Sequence, residues 1–366
     1  MEKKLKNEIN ELITLYKNTS SQRNRMYLYS SIMYLKEIYH DLTKKTILFK
    51  PKYEDISFRS ILDQEENKSI YLELVTDENR KMVNTFTENG IAIIKENSDL
   101  KECFFESTIT FDTAKEIIYS FFEKFDKSTL PFIKQMLENN IVFCNPKTDN
   151  LGYTNNIRTL KKSYIVLFAN KDDINIEILI TIIHELGHVM YNKMMNNKLF
   201  YDSFLEVFSY FLEQTFIEYC IKNDIHSIDC LKSQKNDICN LYDWLDDLRT
   251  INTFFDKVDV ETLSLKLKRK DLKTIGLKDR ILKFKECDSF YLRCYGVSLG
   301  FYYAKLYEND PEKTNLYVEA FLKDIGVYRD TYMLSHYGID NEQFLSCEYL
   351  KPFLERQKIL NKNTQI

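Results

Sequence analysis

The feature that most limits how this chain can fold is its shortage of glycine and proline. Only 8 glycines and 5 prolines occur among 366 residues. Folds made of many short strands need many turns, and turns draw heavily on these two residues. The sequence therefore predicts a mainly α fold with long helices. Its apolar fraction of 44% is enough to form a substantial core.

Hydrophobic periodicity predicts helices along most of the chain and one clear strand near its middle. The segment "FDTAKEIIYSFFEKF" predicts a helix capped by Asp112 or Thr113. The β-branched and aromatic stretch 162–171, "KSYIVLFANK", predicts a strand. Asp172 or Asp173 is expected to open the long helix that follows. A second helix is expected from "DSFLEVF" onward, and no internal repeat is present.

Charge, cysteine content and hydropathy argue against several classes of protein. A net charge of -4 gives no electrostatic reason to expect a nucleic-acid partner, and the basic run 265–273 has the composition of a solvated surface. The N-terminus lacks an apolar signal segment, and no apolar run approaches membrane-spanning length. The 8 scattered cysteines contain no CxxC pair, which predicts reduced core residues. We therefore expect a cytoplasmic protein with no membrane contact.

The stretch 181–192, "TIIHELGHVMYN", contains two histidines four residues apart. On an α-helix these positions lie one above the other on the same face, so His184 and His188 can bind one ion together. Glu185 lies about a third of a turn round the helix. It is poorly placed to bind the ion but well placed to take a proton from a water beside it. The spacing predicts a metal site with Glu185 as general base.

A catalytic zinc ion keeps three protein ligands and leaves one position for water. The next helix offers Glu206, which is flanked by apolar residues in "FLEVF". A carboxylate in so apolar a stretch is costly to bury unless it is paired or coordinated, so Glu206 is the candidate third ligand. Glu213 lies two turns later on the same face, and Asp202 lies one turn earlier. Either could accept a hydrogen bond from a ligand imidazole.

These two helices resemble those of the oligoendopeptidase F and thimet oligopeptidase family of zinc metallopeptidases. In that family an HExGH helix is followed by a helix with the pattern E-x-x-S-x-x-x-E, and this chain has "HELGH" and then "EVFSYFLE". The similarity extends loosely over residues 105–360. It implies one Zn²⁺ per chain, with His184, His188 and Glu206 as ligands and Glu185 as base.

The resemblance also implies an architecture and a division of the chain. Residues 106–366 would form a thermolysin-like HExxH zincin catalytic domain, with a small β-sheet beside the zinc helix and a peptide-binding cleft. Residues 1–105 would be a helical N-terminal region that is shorter than in fuller-length relatives. A smaller N-terminal region implies a more open groove. We therefore expect a dedicated substrate, such as a precursor or leader peptide.

The match weakens on the side of the site that would stabilise the reacting oxyanion. Tyr291 and Tyr295 match two tyrosines of the family's aromatic segment, but Arg293 replaces the aromatic residue between them. The family's nearby histidine has no counterpart, so either tyrosine or Arg293 is left as the candidate oxyanion donor. By resemblance, Tyr153 of the Gly-Tyr loop and Arg293 would contact substrate. Strand 163–170 is expected to pair its edge with an extended peptide.

The sequence thus predicts an enzyme, a zinc-dependent endopeptidase that hydrolyses short or unstructured peptides. A zinc-containing peptide-binding protein with weak or lost turnover is the alternative, because the family histidine is missing. A helical protein with a coincidental motif is the third reading, and the candidate ligand Glu206 argues against it. Oligomeric state and cleavage preference do not follow from the sequence.

Overall fold

The computed structural model describes residues 1–52, 77–97, 103–105, 107–146, 151–194, 205–255, 294, 296–324 and 337–363. These residues are mainly helical, with small β-sheets, so the mainly α prediction is confirmed. The described helices are α1 (Glu2–Asn18), α2 (Gln22–Thr43), α3 (Asp77–Asn97), α4 (Phe111–Phe125), α5 (Leu130–Asn139), α6 (Ile176–Met194), α7 (Leu205–Lys222), α8 (Ser227–Phe255), α9 (Pro311–Asp324), α10 (Asn341–Leu345) and α11 (Lys351–Asn363). Residues 296–309 are helical as well.

The strands are short. They are β1 (Thr108–Ile109), β2 (Ile141–Phe143), β3 (Gly152–Ile157), β4 (Lys162–Leu167) and β5 (Ile174–Asn175). Strand β4 falls within the predicted stretch, so that prediction is confirmed, whereas β3 was not expected. No helix in the described part of the chain is long and apolar enough to cross a membrane.

The chain forms two compact units, each assembled from separate stretches. The first consists of Met1–Gln64, Phe105–Leu199 and Phe216–Cys230, and the second of Glu65–Phe104, Phe200–Thr215 and Leu231–Ile366. The predicted division into a reduced N-terminal region and a catalytic domain is a statement about family resemblance, and it stays a prediction.

In the first unit a three-stranded sheet lies between helices. Its strand order is β2-β4-β3, with β2 parallel and β3 antiparallel to β4. Helices α1 and α2 pack together, and their apolar residues share one core with Tyr164 and Val166 of β4 and with Phe168 just after it. Helix α6 packs against β3 and β4. Because side chains alternate along a strand, neighbouring residues of β3 face different helices.

The prediction that strand 163–170 offers a free edge is wrong. Strand β4 pairs with β2 through 165–167 and with β3 along its whole length, so it is the central strand of the sheet. Its apolar composition is the physical reason, since a strand rich in β-branched and aromatic residues is best buried on both faces and both edges. The polar strand β3 lies at the sheet edge instead.

The start of α6 also differs from the prediction, in which Asp172 or Asp173 opens the helix. Ile174–Asn175 pairs antiparallel with Thr108–Ile109 before the helix begins. The side chain of Asn175 then caps α6, since its Oδ1 accepts a hydrogen bond from the Ile178 N–H at 2.9 Å. Asparagine caps a helix as well as aspartate does, and capping here keeps Ile174 buried.

The cap of α4 lies slightly upstream of the predicted Asp112 or Thr113. Thr110 has extended backbone geometry, and its Oγ1 accepts a hydrogen bond from the Thr113 N–H at 3.2 Å. Asp112 instead lies in the first turn, where its negative charge interacts favourably with the helix dipole.

In the second unit, α3 packs against α10 and α11. Phe86 stacks on Phe344 with ring centroids 5.4 Å apart, and Phe344 stacks in turn on Tyr349. The Asn89 amide donates to the Leu345 carbonyl at 2.9 Å. Contacts far apart in sequence therefore join the segment 77–97 to the C-terminal helices.

A buried carboxylate joins α1 to the sheet in the first unit. Glu8 accepts hydrogen bonds from the Lys162 ammonium at 2.8 Å and from the Tyr164 hydroxyl at 2.7 Å. Burial, followed by the hydrogen bond to Glu8, raises the pKa of Tyr164. The tyrosine therefore stays a neutral donor to the carboxylate.

We expect Glu8→Ala to lower the free energy of unfolding by about 2–3 kcal/mol, because it removes the charged acceptor of the buried Tyr164 hydroxyl and the ion-pair partner of Lys162. Urea denaturation measures the change. Glu11→Ala, at an exposed position of the same helix, is the control and should shift stability by less than about 0.5 kcal/mol. Equal small effects of the two substitutions would contradict the structural role of Glu8.

Candidate metal centre

Helix α6 holds the two motif histidines on its single half-exposed strip. Apolar residues, isoleucine and leucine foremost, fill most other positions, and the helix is buried on nearly every side. The half-buried positions of its first five turns share one helical spacing. They are Glu177, Thr181, His184, His188 and Asn192. Apart from the buried Glu185, the charged and amide side chains from Glu177 to Asn192 lie on one line along an otherwise apolar helix.

The two imidazoles are neighbours on this strip, as the i, i+4 spacing predicts. Their ring centroids lie 4.9 Å apart, with the ring planes at 79° to each other. Nearly perpendicular rings can direct one nitrogen each toward a common point beside the helix. The Asn192 amide donates to the His188 carbonyl at 2.7 Å, which supports the backbone one turn beyond the pair.

Glu206, in the first turn of α7, supplies a third donor. One ligand atom each from His184, His188 and Glu206 lies within 4.8 Å of the other two. In a tetrahedral zinc site, with metal–ligand distances of about 2.0–2.2 Å, ligand atoms are roughly 3.3–3.6 Å apart. This trio could therefore hold a metal ion, as predicted, and the identity of the ion stays a prediction.

Glu185 lies beside this group with an unused oxygen. The residue is only 7% exposed, and its Oε2 has no hydrogen-bond partner among the described residues. Its backbone carbonyl accepts a hydrogen bond from the Thr154 hydroxyl of β3 at 3.3 Å. A buried carboxylate oxygen left without a partner is energetically unfavourable, and such atoms call for a functional explanation. A metal-bound ligand set next to Glu185 would supply one.

Helix α7 continues the line of polar groups behind Glu206. Ser209 is fully buried, and its hydroxyl has no hydrogen-bond partner in the described part of the chain. Glu213 is 4% exposed and accepts a hydrogen bond from the Gln214 amide at 3.3 Å. That amide also donates to Asp237 at 2.7 Å. Glu213 therefore belongs to a buried polar network, and its predicted bond to a ligand imidazole stays a prediction.

Four predicted site residues lie outside the described residues: Asp202, Tyr291, Arg293 and Tyr295. Their roles as an outer carboxylate, oxyanion donors and a substrate contact stay predictions. Residue Gly296, directly after this aromatic segment, is described and lies against Glu206.

Tyr153 is placed on the face of the sheet that carries the α1–α2 core. Its hydroxyl donates to the Asp41 carboxylate of α2 at 3.0 Å, and its ring packs against Phe168. Burial, and then the charge of Asp41, raise its pKa. Thr154 and Gly152 are the β3 residues that face α6. The predicted substrate contact of Tyr153 stays a prediction, although its hydroxyl is already engaged.

The outer edge of β3 is a feature that the sequence analysis missed. The Phe168 N–H donates to the Leu151 carbonyl at 2.9 Å, so Leu151 and Phe168 are a hydrogen-bonded pair. In the register of β3 and β4, Tyr153, Asn155 and Ile157 are then the β3 residues whose backbone groups bond to β4. In an antiparallel pair these alternate, so Gly152, Thr154 and Asn156 direct their backbone groups away from β4. Among the described strands, none pairs with that edge. The only sign of this strand in the sequence was that Tyr153, Asn155 and Ile157 occupy every second position, as the residues on one face of a strand do.

Comparisons with protein-family models, with curated proteins and with solved structures find no match. The resemblance to the oligoendopeptidase family therefore rests on the motif residues alone, and it stays a proposal.

We expect Tyr153→Phe to lower the free energy of unfolding by about 0.5–1.5 kcal/mol, because one buried hydrogen bond is lost. Chemical denaturation measures the change. Tyr29→Phe is the matched control, because Tyr29 is a half-buried tyrosine of α2 that packs on Phe49 and no described residue bonds its hydroxyl. Equal stabilities of Tyr153→Phe and the wild type would contradict the structural role of this hydrogen bond.

Proposed function

We propose that this protein is a zinc-dependent endopeptidase that acts on short or unstructured peptides. The observation that carries the proposal is the grouping of His184, His188 and Glu206 beside a buried, unpartnered oxygen of Glu185. Two histidines and a glutamate are a known ligand set of hydrolytic zinc sites. When bound, zinc supplies a Lewis acid that polarises a carbonyl and makes water acidic enough to ionise near neutral pH.

Glu185 has the properties that a general base needs at such a site. It follows a ligand histidine directly, so its carboxylate lies near the reacting water without being a ligand. Its Oε2 is not committed to any described hydrogen bond, so it can accept the water proton. The same oxygen can then deliver that proton to the leaving amine, as acid–base catalysis of peptide hydrolysis requires.

The outer edge of β3 supports a peptide as the substrate. Thr154 and Asn156 direct backbone donors and acceptors away from β4, and the Thr154 hydroxyl also donates to the Glu185 carbonyl. An extended peptide can add to such an edge as a further strand through backbone hydrogen bonds. This recognition requires an unfolded segment but ignores most side chains. It fits an endopeptidase for unstructured chains, and a dedicated precursor or leader peptide remains our proposal for the physiological substrate.

The alternative proposal is a zinc-containing peptide-binding protein with weak or lost turnover. It is favoured by one observation in the sequence, the absence of a histidine near Tyr291. An oxyanion donor typically contributes about a hundredfold or more to the rate. Zinc and peptide binding would then persist in a protein that hydrolyses slowly, so the alternative differs from the leading proposal only in turnover.

Turnover decides between the two proposals. Glu185→Gln should retain zinc but lose about a hundredfold or more of kcat, because the amide cannot accept the proton. Cleavage of internally quenched peptides measures kcat, and a zinc assay measures the metal. Glu177→Gln, two turns earlier on α6, is the control with full activity. Equal residual rates for Glu185→Gln and the wild type would favour the binding protein.

Metal content tests the ligand set itself. We expect about one zinc ion per purified chain. Glu206→Ala should weaken zinc binding by at least about a hundredfold, since even the loss of a residue that orients a ligand costs roughly 10–100-fold. Competition with a chromogenic chelator measures the affinity, and Glu218→Ala on the same helix is the control. Wild-type protein without zinc affinity would remove both proposals.

A further inference from the structure

Two glycines of the helical segment 296–309 lie against the start of α7. A Cβ atom built on Gly296 would lie 2.5 Å from the Glu206 Cβ and 3.4 Å from the Glu206 Cα. One turn later, a Cβ atom on Gly300 would lie 2.5 Å from the Tyr210 Cβ and 2.8 Å from its carbonyl carbon. Both pairs are spaced by four residues, so the two helices pack in register through this glycine pair.

At Gly296 the contact is made by the Glu206 Cβ, which cannot move without the backbone, and by the Glu206 backbone behind it. A methyl group there would meet the Cβ and backbone of Glu206 rather than the mobile end of a side chain. Carbon atoms pack at about 3.5–4.0 Å, so one of the two helices would have to move by roughly 1 Å. No rotamer change can relieve the contact. Glycine is also a poor helix former, so its use in a buried helix points to a need for close approach.

The residue that Gly296 contacts is the candidate third ligand. Metal–ligand distances tolerate deviations of only about 0.2 Å, so a shift of α7 by 1 Å at Glu206 would spoil the group. The unpartnered Oε2 of Glu185, in a residue that is only 7% exposed, independently indicates that something binds beside this group.

We propose that Gly296 is a positioning residue for metal binding, because its missing side chain fixes where the Glu206 carboxylate stands. The inference rests on the metal site of the proposed function. Gly300 makes the same kind of contact next to Tyr210, which is not in the ligand group. It therefore contributes to helix packing without setting the position of a ligand.

This difference gives a matched pair of variants, Gly296→Ala and Gly300→Ala. Both should lower the thermal unfolding midpoint of the metal-free protein, since both insert a methyl group between the same helices. Only Gly296→Ala should weaken zinc binding, by about tenfold or more per folded molecule. Chelator competition measures zinc affinity, and the spectrum of the cobalt-substituted protein reports the ligand geometry. Equal zinc affinities of the two variants would overturn the inference.

Hydrogen exchange on the wild-type protein gives a second test if Gly296→Ala does not fold. Zinc should slow exchange of the amides in 296–301 together with those at the start of α7, because the two backbones are in contact. Protection of α7 alone would overturn the inference. If the wild type binds zinc and cleaves peptides, but either test contradicts the positioning role of Gly296, the proposed peptidase function stands. If the wild type does not bind zinc, both proposals fall.

Discussion

Burial of polar groups on apolar helices is the constraint on which the rest of this structure depends. Helix α6 is lined with isoleucine and leucine, yet it carries a carboxylate with a buried and unpartnered oxygen, Glu185. Helix α7 likewise buries Ser209 and Glu213. Such groups destabilise a fold unless partners or a bound ion compensate them. A metal ion bound by His184, His188 and Glu206 would compensate these buried polar groups and give them a common function.

The grouping of His184, His188 and Glu206 could be predicted because its signals are local and chemically unusual. Two histidines at i, i+4 must share a helix face, and a glutamate such as Glu206 within an apolar stretch needs a reason to be there. Long helices such as α1 and α2 were predictable for a similar reason, since periodicity over many residues outweighs single exceptions. The strand β4 was equally clear from its β-branched and aromatic residues.

The partners of each strand were not predictable, because they depend on contacts between distant segments. The sequence shows that β4 is a good strand but not that β2 and β3 occupy its two edges. Strand β3 reads as a polar loop after a turn, and only the sheet makes it an edge beside Glu185. The hydrogen bond between Tyr153 and Asp41 joins residues more than a hundred positions apart in the sequence. The close contact of Gly296 with Glu206 is equally remote.

X-ray absorption at the zinc edge of the purified protein tests the central claim most directly. The account predicts zinc bound by nitrogen and oxygen at about 2.0–2.2 Å, with outer scattering from two imidazole rings. In Glu206→Ala the zinc that still binds should keep the imidazole signal, with water in the position that the carboxylate leaves. Zinc bound by sulfur at about 2.3 Å, or by no imidazole, would contradict the account.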